Sequence, residues 1–383
     1  MPLLGYQDYL LPKKLHEMGF DTMIITSDRF TPVSNYESSW GPIMGERICG
    51  SRDEIHEGFV IRRLSPVFEL QRRILLKGLY SELEKLKPHY IFVHNIVSMN
   101  VPIAIKYGRN FNVPVFIDSH LTHTSTNKSL LGKLYYRLIR NYYSRNKRYV
   151  TEFFGVAEEC RDHMEKYLGI TNSVSKLLPI GIDENIFHYR EVDRRQIRYD
   201  LGVKDEEILL MQTGKLSADK GVHMLPPVIT GLSDEIKEKL KVVLVGDGDE
   251  SYLKTSLHDP LKAVGFDSYV ITGFVDYRNL PKYFSAADVV VYPQASSLSA
   301  LEAAACRNIV LMSNTDASKW RADKGVGISL DFSNAKKVSG TINDLLNVNN
   351  KDLEIRKQKA AEAVHLQFSY NAIGKDFMKS LNN

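Results

Sequence analysis

The sequence predicts an α/β fold made of two doubly wound parallel-sheet domains. Three observations carry that expectation. Short apolar runs alternate with longer amphipathic stretches, which implies strands joined by helical crossovers and hence parallel sheets. The runs are unbroken, as strands buried on both faces are. The alternation occurs in both halves of the chain, and 383 residues exceed the roughly 250–300 that one core supports.

The elements follow in order. Residues 6–18 have helical spacing and stop at Gly19. Thr22-Met23-Ile24-Ile25-Thr26 and Val60-Ile61-Arg62-Arg63-Leu64 read as strands. Residues 68–87 are amphipathic and close before Pro88, so a helix is expected there. Tyr90-Ile91-Phe92-Val93-His94 is a strand, 103–109 a helix, and Pro114-Val115-Phe116-Ile117-Asp118 a strand again. In the second half, Glu207-Ile208-Leu209-Leu210-Met211, Lys241-Val242-Val243-Leu244-Val245, Tyr269-Val270-Ile271 and Asp288-Val289-Val290-Val291-Tyr292 are strands with helices between them. The domain boundary is expected near Leu178-Pro179-Ile180-Gly181-Ile182-Asp183, where Pro and Gly punctuate the chain before the charged stretch 190–198.

Composition is that of a globular protein, 43% apolar and 25% charged. No stretch approaches the roughly 18–20 apolar residues of a membrane span. The start, Met1-Pro2-Leu3-Leu4-Gly5-Tyr6-Gln7-Asp8, lacks the pattern of a signal peptide, and a soluble cytoplasmic protein is expected. Cys49, Cys160 and Cys306 fit no zinc spacing and read as reduced thiols. Net charge is +4. Basic residues number 24 against 20 acidic up to Ile186, and 26 against 26 beyond it. Most of the excess lies between Asp118 and Glu152, which enclose seven basic residues and no acidic one.

Two segments carry recognisable chemistry. Gly214-Lys215-Leu216-Ser217-Ala218-Asp219-Lys220-Gly221 follows a strand and precedes a helix, a place where two cations can neutralise a diphosphate. In Tyr292-Pro293-Gln294-Ala295-Ser296-Ser297-Leu298-Ser299-Ala300-Leu301-Glu302 a strand ends, a small-residue loop follows and a helix begins. Such a loop leaves N–H groups free for phosphate, the serines add hydroxyl donors, and Glu302 can accept bonds from a ribose diol. Each segment alone also reads as a solvated loop or an ordinary helix cap.

Together these segments resemble the nucleotide-sugar site of GT-B glycosyltransferases, specifically glycosyltransferase family 4. Further motifs fall in the family's order. Val245-Gly246-Asp247-Gly248 is similar to its strand-turn, and Thr272-Gly273-Phe274-Val275, with Leu280, Tyr283 and Ala286-Ala287-Asp288, to its base-binding loop and next helix. Pro179-Ile180-Gly181-Ile182-Asp183 with Phe187 resembles its interdomain linker, and Gly5-Tyr6-Gln7-Asp8-Tyr9-Leu10 its first glycine loop. The resemblance spans nearly the whole chain.

The resemblance implies a GT-B fold of two Rossmann-like domains facing across a cleft. Residues 1–182 would bind the acceptor and 183–365 the nucleotide sugar, with a helix in 366–383 packing back on the first domain. It implies a retaining transferase, without metal or other cofactor, that moves a sugar from a UDP- or GDP-sugar to an acceptor hydroxyl. Lys215 and Lys220 match the family's basic pair on the diphosphate, where charge grows in the transition state. His120 matches a histidine near the donor sugar, with His123 as the weaker candidate; His94 also ends a strand and is a candidate to line the acceptor pocket. Gly5, Gly214, Phe274, Gln294, Ser296, Ser297, Leu298 and Glu302 would contact the donor.

The chain departs from the family in three places. Gln294 stands where the family's Glu-x7-Glu motif has its first Glu, which admits either a changed donor preference or lost activity. Only Met1 to Leu4 precede the first glycine loop, fewer than the about 5–6 residues of an average strand, so the first strand is expected to be short or missing. A missing central strand would expose its neighbours' edges. Arg307 and Ile309 replace the usual Gly and Pro, a change expected to affect a turn. Asp247-Gly248-Asp249 mimics a metal-binding motif of another glycosyltransferase fold but reads as a turn.

Residues 128–148 interleave lysines and arginines with leucines and tyrosines, which suits an anionic membrane surface, and equally a core helix with a solvated basic face. No nucleic-acid motif accompanies them. Expected partners are a nucleotide sugar, a lipid-linked or glycan acceptor, and the inner face of the cell membrane. The alternatives are a catalytically silent nucleotide-sugar binder and a GT-B sugar-nucleotide epimerase.

Overall fold

The computed structural model describes residues 6–33, 36–70, 73–125, 129–294, 297–347 and 350–381. The chain divides into two compact units. One holds Tyr6–Pro179 and the segment from Gly374 onward; the other holds Ile180–Ile373.

In the first unit the described residues form three sheets. Strands β1 (Met23–Ser27), β2 (Arg52–His56) and β3 (Phe59–Leu64) make one, in the order β1-β3-β2. Strands β4 (Pro66–Leu70) and β5 (Arg73–Leu76) form an antiparallel hairpin. Strands β6 (Ile91–Val93), β7 (Val115–Ser119), β8 (Glu152–Gly155) and β9 (Ser175–Leu177) pair in parallel, in sequence order. β1 and β6 each end a sheet.

The hairpin corrects the expected helix over 68–87. Only Leu79–Leu86 is helical, and Gly78 at φ 73° breaks strand from helix. Phe68, Leu76, Leu79 and Leu83 share one helical stripe, while Phe68 with Leu70 and Ile74 with Leu76 alternate as strands do, so spacing alone does not choose between them. The unit's last helix sends Phe377 against Phe92, Phe116 and Phe154.

The second unit is built on one parallel sheet of β10 (Ile208–Thr213), β11 (Leu240–Val245), β12 (Tyr269–Ile271), β13 (Val289–Tyr292), β14 (Ile309–Ser313) and β15 (Ile328–Leu330). Their order is β12-β11-β10-β13-β14-β15. Alternate residues feed two cores. Leu209, Met211, Val243, Val245, Val290 and Met312 face one helix layer, and Leu210, Val242, Leu244, Val289, Val291 and Leu311 face the other. That double burial is why these strands read as unbroken apolar runs.

The charged stretch 190–198 becomes the helix Glu191–Asp200. Arg194 and Arg198 reach the buried Asp288 at 2.9 and 3.1 Å, and Lys357 joins them at 3.0 Å. The three cations hold the Asp288 carboxyl below its ordinary range against the opposing effect of burial. Ile182 donates its N–H to the Phe368 carbonyl, which ties the start of this unit to its last long helix. Arg307 follows the helix Ser299–Ala305 at φ 62°, a left-handed turn that glycine adopts more easily. The departure there is one of backbone conformation.

Candidate functional site

The sheet of the second unit reverses its winding between β10 and β13. From β10 the chain steps to β11 and β12 on one side, then crosses to β13, β14 and β15 on the other. In open α/β sheets, ligands bind at such a switch point, beyond the carboxyl ends of the strands. Gly214, Lys215 and Lys220 follow β10, and Pro293 and Gln294 follow β13. The topology thus brings together two segments that lie some eighty residues apart in sequence.

Close backbone packing shapes this edge. Gly214 donates its N–H to the Val245 carbonyl, and Leu216 donates to Asp247. A Cβ on Gly221, at φ 74°, would stand 2.9 Å from Pro293 Cβ and 3.0 Å from Gln294 Cβ. The turn after Lys220 therefore rests directly on the start of the β13 loop. Gln212, buried on β10, donates from Nε2 to the Lys220 carbonyl at 2.9 Å.

Lys215 is exposed and Lys220 half-buried. Asp219, between them, is held below the usual carboxylate range chiefly by the Ser217 hydroxyl, with both lysines adding to it. Gln294 is exposed. Ser297 accepts the Ser299 N–H on its hydroxyl at 3.1 Å and the Arg321 guanidinium on its carbonyl at 2.6 Å. Its O–H proton remains to donate. Leu298 turns toward the core beside Leu301. Phe274 stands out from the loop after β12, 71% exposed. Gly5 and Ser296 lie outside the described residues.

Glu302 is buried, 2% exposed, on the helix Ser299–Ala305. Burial raises its pKa to about 7, while the neighbouring Ser299 and Tyr277 hydroxyls and the Arg321 charge pull the other way. The pKa of Arg321, half-buried beside it, is lowered to about 10 by burial. A carboxyl group this dry can take hydroxyl hydrogens from a diol as well as from protein. It also has a consequence for stability. An acid with a raised folded-state pKa is most favourable when protonated, so its contribution is lost as pH climbs from 4.5 through about 7. Glu302→Gln should match the wild type near pH 4 and become more stable above pH 7, by about 3 kcal/mol at most. Denaturant titrations from pH 4 to 9 measure this; two parallel curves would contradict it.

The Asp247-Gly248-Asp249 segment is a turn followed by a cap. Asp249 Oδ1 accepts the Tyr252 N–H at 2.9 Å and the Ser251 hydroxyl at 2.6 Å.

His120 belongs to the first unit, just past β7. Its Nε2 meets Asp118 Oδ2 at 3.2 Å, and His94 Nδ1, just past β6, meets the same oxygen at 2.8 Å. Asp118 is fully buried, and its other oxygen accepts the Asn95 N–H at 2.6 Å. Burial alone would raise the Asp118 pKa, but the two imidazoles outweigh it and hold the carboxyl far below its usual range. Burial likewise opposes a charge on His94; the Asp118 hydrogen bond and charge, with Asp8 behind them, carry its pKa above the ordinary value. The facing atoms of His94, Asp118 and His120 lie within 4.8 Å of one another, close enough in principle to share a cation. Sequence reading found both histidines as strand-end residues and missed the acid that joins them. His123 lies apart from this cluster, beside His163 and Tyr167.

Comparison with known proteins bears on the second unit most directly. Residues 193–362 match the family described as "Glycosyl transferases group 1". The chain is 23% identical over 207 residues to the lipopolysaccharide 1,2-N-acetylglucosaminetransferase of Salmonella typhimurium, covering 51% of this chain and 53% of that protein. It is 27% identical over 129 residues to the alpha-monoglucosyldiacylglycerol synthase of Streptococcus pneumoniae, covering 33% and 29%. The chain spans between 29% and 54% of the length of the curated relatives it matches. Among solved structures, a glycosyltransferase from Rickettsia africae superimposes with a TM-score of 0.69 at 13% identity, covering 98% of this chain and 94% of that one. Anabaena HepE in complex with UDP gives 0.63 at 17%, covering 80% and 82%. At these identities the likeness establishes the fold, which is of the GT-B kind.

Proposed function

We propose, from the premise that residues 193–362 carry a glycosyl transferases group 1 domain, that this protein transfers a sugar from a UDP- or GDP-sugar to an acceptor hydroxyl. One observation carries the reading: the Gly214–Gly221 segment, with its two lysines, packs on Pro293 and Gln294 at the switch point between β10 and β13. Lys215 and Lys220 hold the diphosphate and stabilise the charge that grows on it as the sugar leaves. Cations already in place for that charge lower the barrier without reorganising. Ser297 donates to phosphate, Glu302 accepts from the ribose diol, and the exposed Phe274 ring flanks the base. Gln294 meets the sugar hydroxyls without a charge. Transfer is retaining and needs no metal on this reading, because the lysines do the neutralising.

The acceptor is a lipid-linked or glycan precursor of the cell surface. The Salmonella and Streptococcus relatives are named for such products. Incubation with UDP- and GDP-sugars and an extracted lipid acceptor should release nucleoside diphosphate and label the lipid. Donor binding without release from any acceptor would favour a silent nucleotide-sugar binder.

The helix Leu130–Asn146 meets that acceptor at the membrane surface. Leu130, Leu131, Leu134 and Leu138 are 84%, 79%, 54% and 61% exposed. Lys133, Arg137, Arg140 and Arg145 are exposed on the same helix, and Lys128 lies outside the described residues. The hairpin of β4 and β5 extends the apolar surface through Val67, Phe68 and Leu70, and Arg73 lies over the Tyr135 ring at 4.8 Å. Among the described residues no helix is long and apolar enough to cross a membrane. Such a face binds by insertion of its leucines and by attraction to anionic headgroups. Replacing Leu130, Leu134 and Leu138 together by serine should cut partitioning onto phosphatidylglycerol vesicles at least tenfold at unchanged melting temperature. Equal sedimentation of variant and wild type would remove the helix from the interface.

A further inference from the structure

We propose that Asp118 is a positioning residue for His120: its buried carboxylate dictates which imidazole nitrogen carries hydrogen, and therefore which one is offered to a ligand hydroxyl. The proposal rests on the transferase reading, but its structural half stands on geometry alone.

An ionised carboxylate accepts hydrogen bonds and cannot donate them. Asp118 has no contact with water, and its Oδ1 is occupied by the Asn95 N–H. Its Oδ2 faces two ring nitrogens, His94 Nδ1 at 2.8 Å and His120 Nε2 at 3.2 Å. Both must be N–H groups, since a lone pair turned toward that oxygen would leave a buried charge facing a second acceptor. His94 is thereby fixed as the Nδ1–H form and His120 as the Nε2–H form. The rings lock each other as well, edge to face with centroids 4.5 Å apart. Neutral His120 then presents Nδ1 as an acceptor.

The backbone is arranged for this. Asn95 stands at φ 78°, a conformation asparagine tolerates better than most residues, and from there its N–H reaches Asp118. The Asn95 side chain closes the turn by accepting the Val97 N–H at 3.2 Å. Both histidines remain partly open, with side chains 40% and 28% exposed for His94 and His120. The outer nitrogens therefore stay available to a ligand while the inner ones are committed to Asp118.

The chemistry assigned is narrow. His120 Nδ1 accepts a hydrogen bond from a ligand hydroxyl and holds that hydroxyl's orientation. His94 is the second anchor that keeps Oδ2 from rotating toward a solvent partner. Loss of a hydrogen bond to a charged group is worth about ten- to a hundredfold.

Nitrogen-15 NMR of the imidazoles in EDTA-treated wild-type protein tests the structural half directly. The expected result is hydrogen on His94 Nδ1 and on His120 Nε2 at neutral pH. Hydrogen on His94 Nε2 instead, or on His120 Nδ1, would overturn the proposal whatever the enzyme turns out to transfer. Asp118→Asn should release both tautomers into mixtures, since an amide can donate to one ring and accept from the other. In the same variant kcat should fall ten- to a hundredfold, with nucleoside diphosphate affinity unchanged. His94→Gln leaves the Asp118–His120 bond in place, should keep the His120 tautomer, and remains informative if Asp118→Asn fails to fold. A full rate in a folded Asp118→Asn variant would also overturn the positioning role. Absence of turnover in the wild type with every donor would sink the transferase reading and leave the tautomer result intact.

Discussion

Lys220→Ala lowers sugar transfer by about a hundred- to a thousandfold, with the fold intact. The size follows from what Lys220 faces. Removing one preorganised group that meets developing charge typically costs about 2.7–4 kcal/mol of barrier. Lys220 is the better placed of the two lysines. It is half-buried, its carbonyl is anchored by Gln212 at 2.9 Å, and the next residue packs on the β13 loop. Lys215 is exposed, so water screens it more and Lys215→Ala should lose less. The fold should survive because the charged end of Lys220 holds no ion pair among the described residues. Steady-state release of nucleoside diphosphate is the measurement. Near-normal turnover of Lys220→Ala would move this lysine away from the diphosphate.

Gly246→Ala should be the most damaging small substitution in the second unit. Gly246 follows β11 at φ 148°, and a Cβ there would meet the Gly214 carbonyl oxygen at 1.9 Å and its carbon at 2.9 Å. Neither atom is the end of a flexible side chain, so the backbone itself must move. Overpacking and backbone strain each cost about 1–3 kcal/mol, so a loss of about 3 kcal/mol or more is expected. At roughly 2–4 °C per kcal/mol for a domain of this size, the melting temperature falls by about 10 °C. The displaced residue is Gly214, which opens the lysine turn, so donor binding should weaken as well. Gly340→Ala is the control. It lies inside the helix Ala335–Leu346 with nothing within 4 Å of its Cβ position, and should be neutral or stabilising by up to about 1 kcal/mol. Equal melting temperatures for the two variants would show that the edge is looser than its packing indicates.

The parts legible in the sequence are those where local pattern and tertiary environment agree. β10, β11 and β13 are buried on both faces, so their apolar runs announce themselves. The glycine turns at Gly214, Gly221 and Gly246 were readable because left-handed or tightly packed backbone restricts the residue type. The hairpin of β4 and β5 was not, because Phe68 to Leu83 fits a helix stripe as well as two strands. β2 was missed because it opens on the charged run Arg52-Asp53-Glu54, with Arg52 and Asp53 exposed and both acids ion-paired to arginines of β3. β8, β9 and β15 are short and interrupted by Glu152, Gly155, Ser175, Lys176 or Ser329, so they lack an unbroken apolar run, whereas β14 carries the same apolar signal as β13.

The candidate site divides in the same way. Lys215, Lys220 and Glu302 announced themselves through neighbouring glycines and small residues. Asp118 did not, because a single acid at the end of an apolar strand looks like a strand terminus. Only the parallel register of β6 and β7 brings it beside His94. The burial of Glu302 was equally hidden, since Arg321 and Tyr277 enclose it from distant parts of the chain.

The central claim is that the second unit binds a nucleoside diphosphate sugar through Lys215 and Lys220. Thermal unfolding of the full chain with UDP-, GDP-, ADP- and dTDP-sugars, with and without EDTA, tests it most directly. At about 100 times its dissociation constant a ligand adds about 2.7 kcal/mol, a shift of roughly 5–10 °C. The account predicts such a shift with a UDP- or GDP-sugar, unchanged by EDTA and lost when Lys215 and Lys220 are both alanine. No shift from any of these nucleotides at millimolar concentration, or a shift that survives the double substitution, would contradict it.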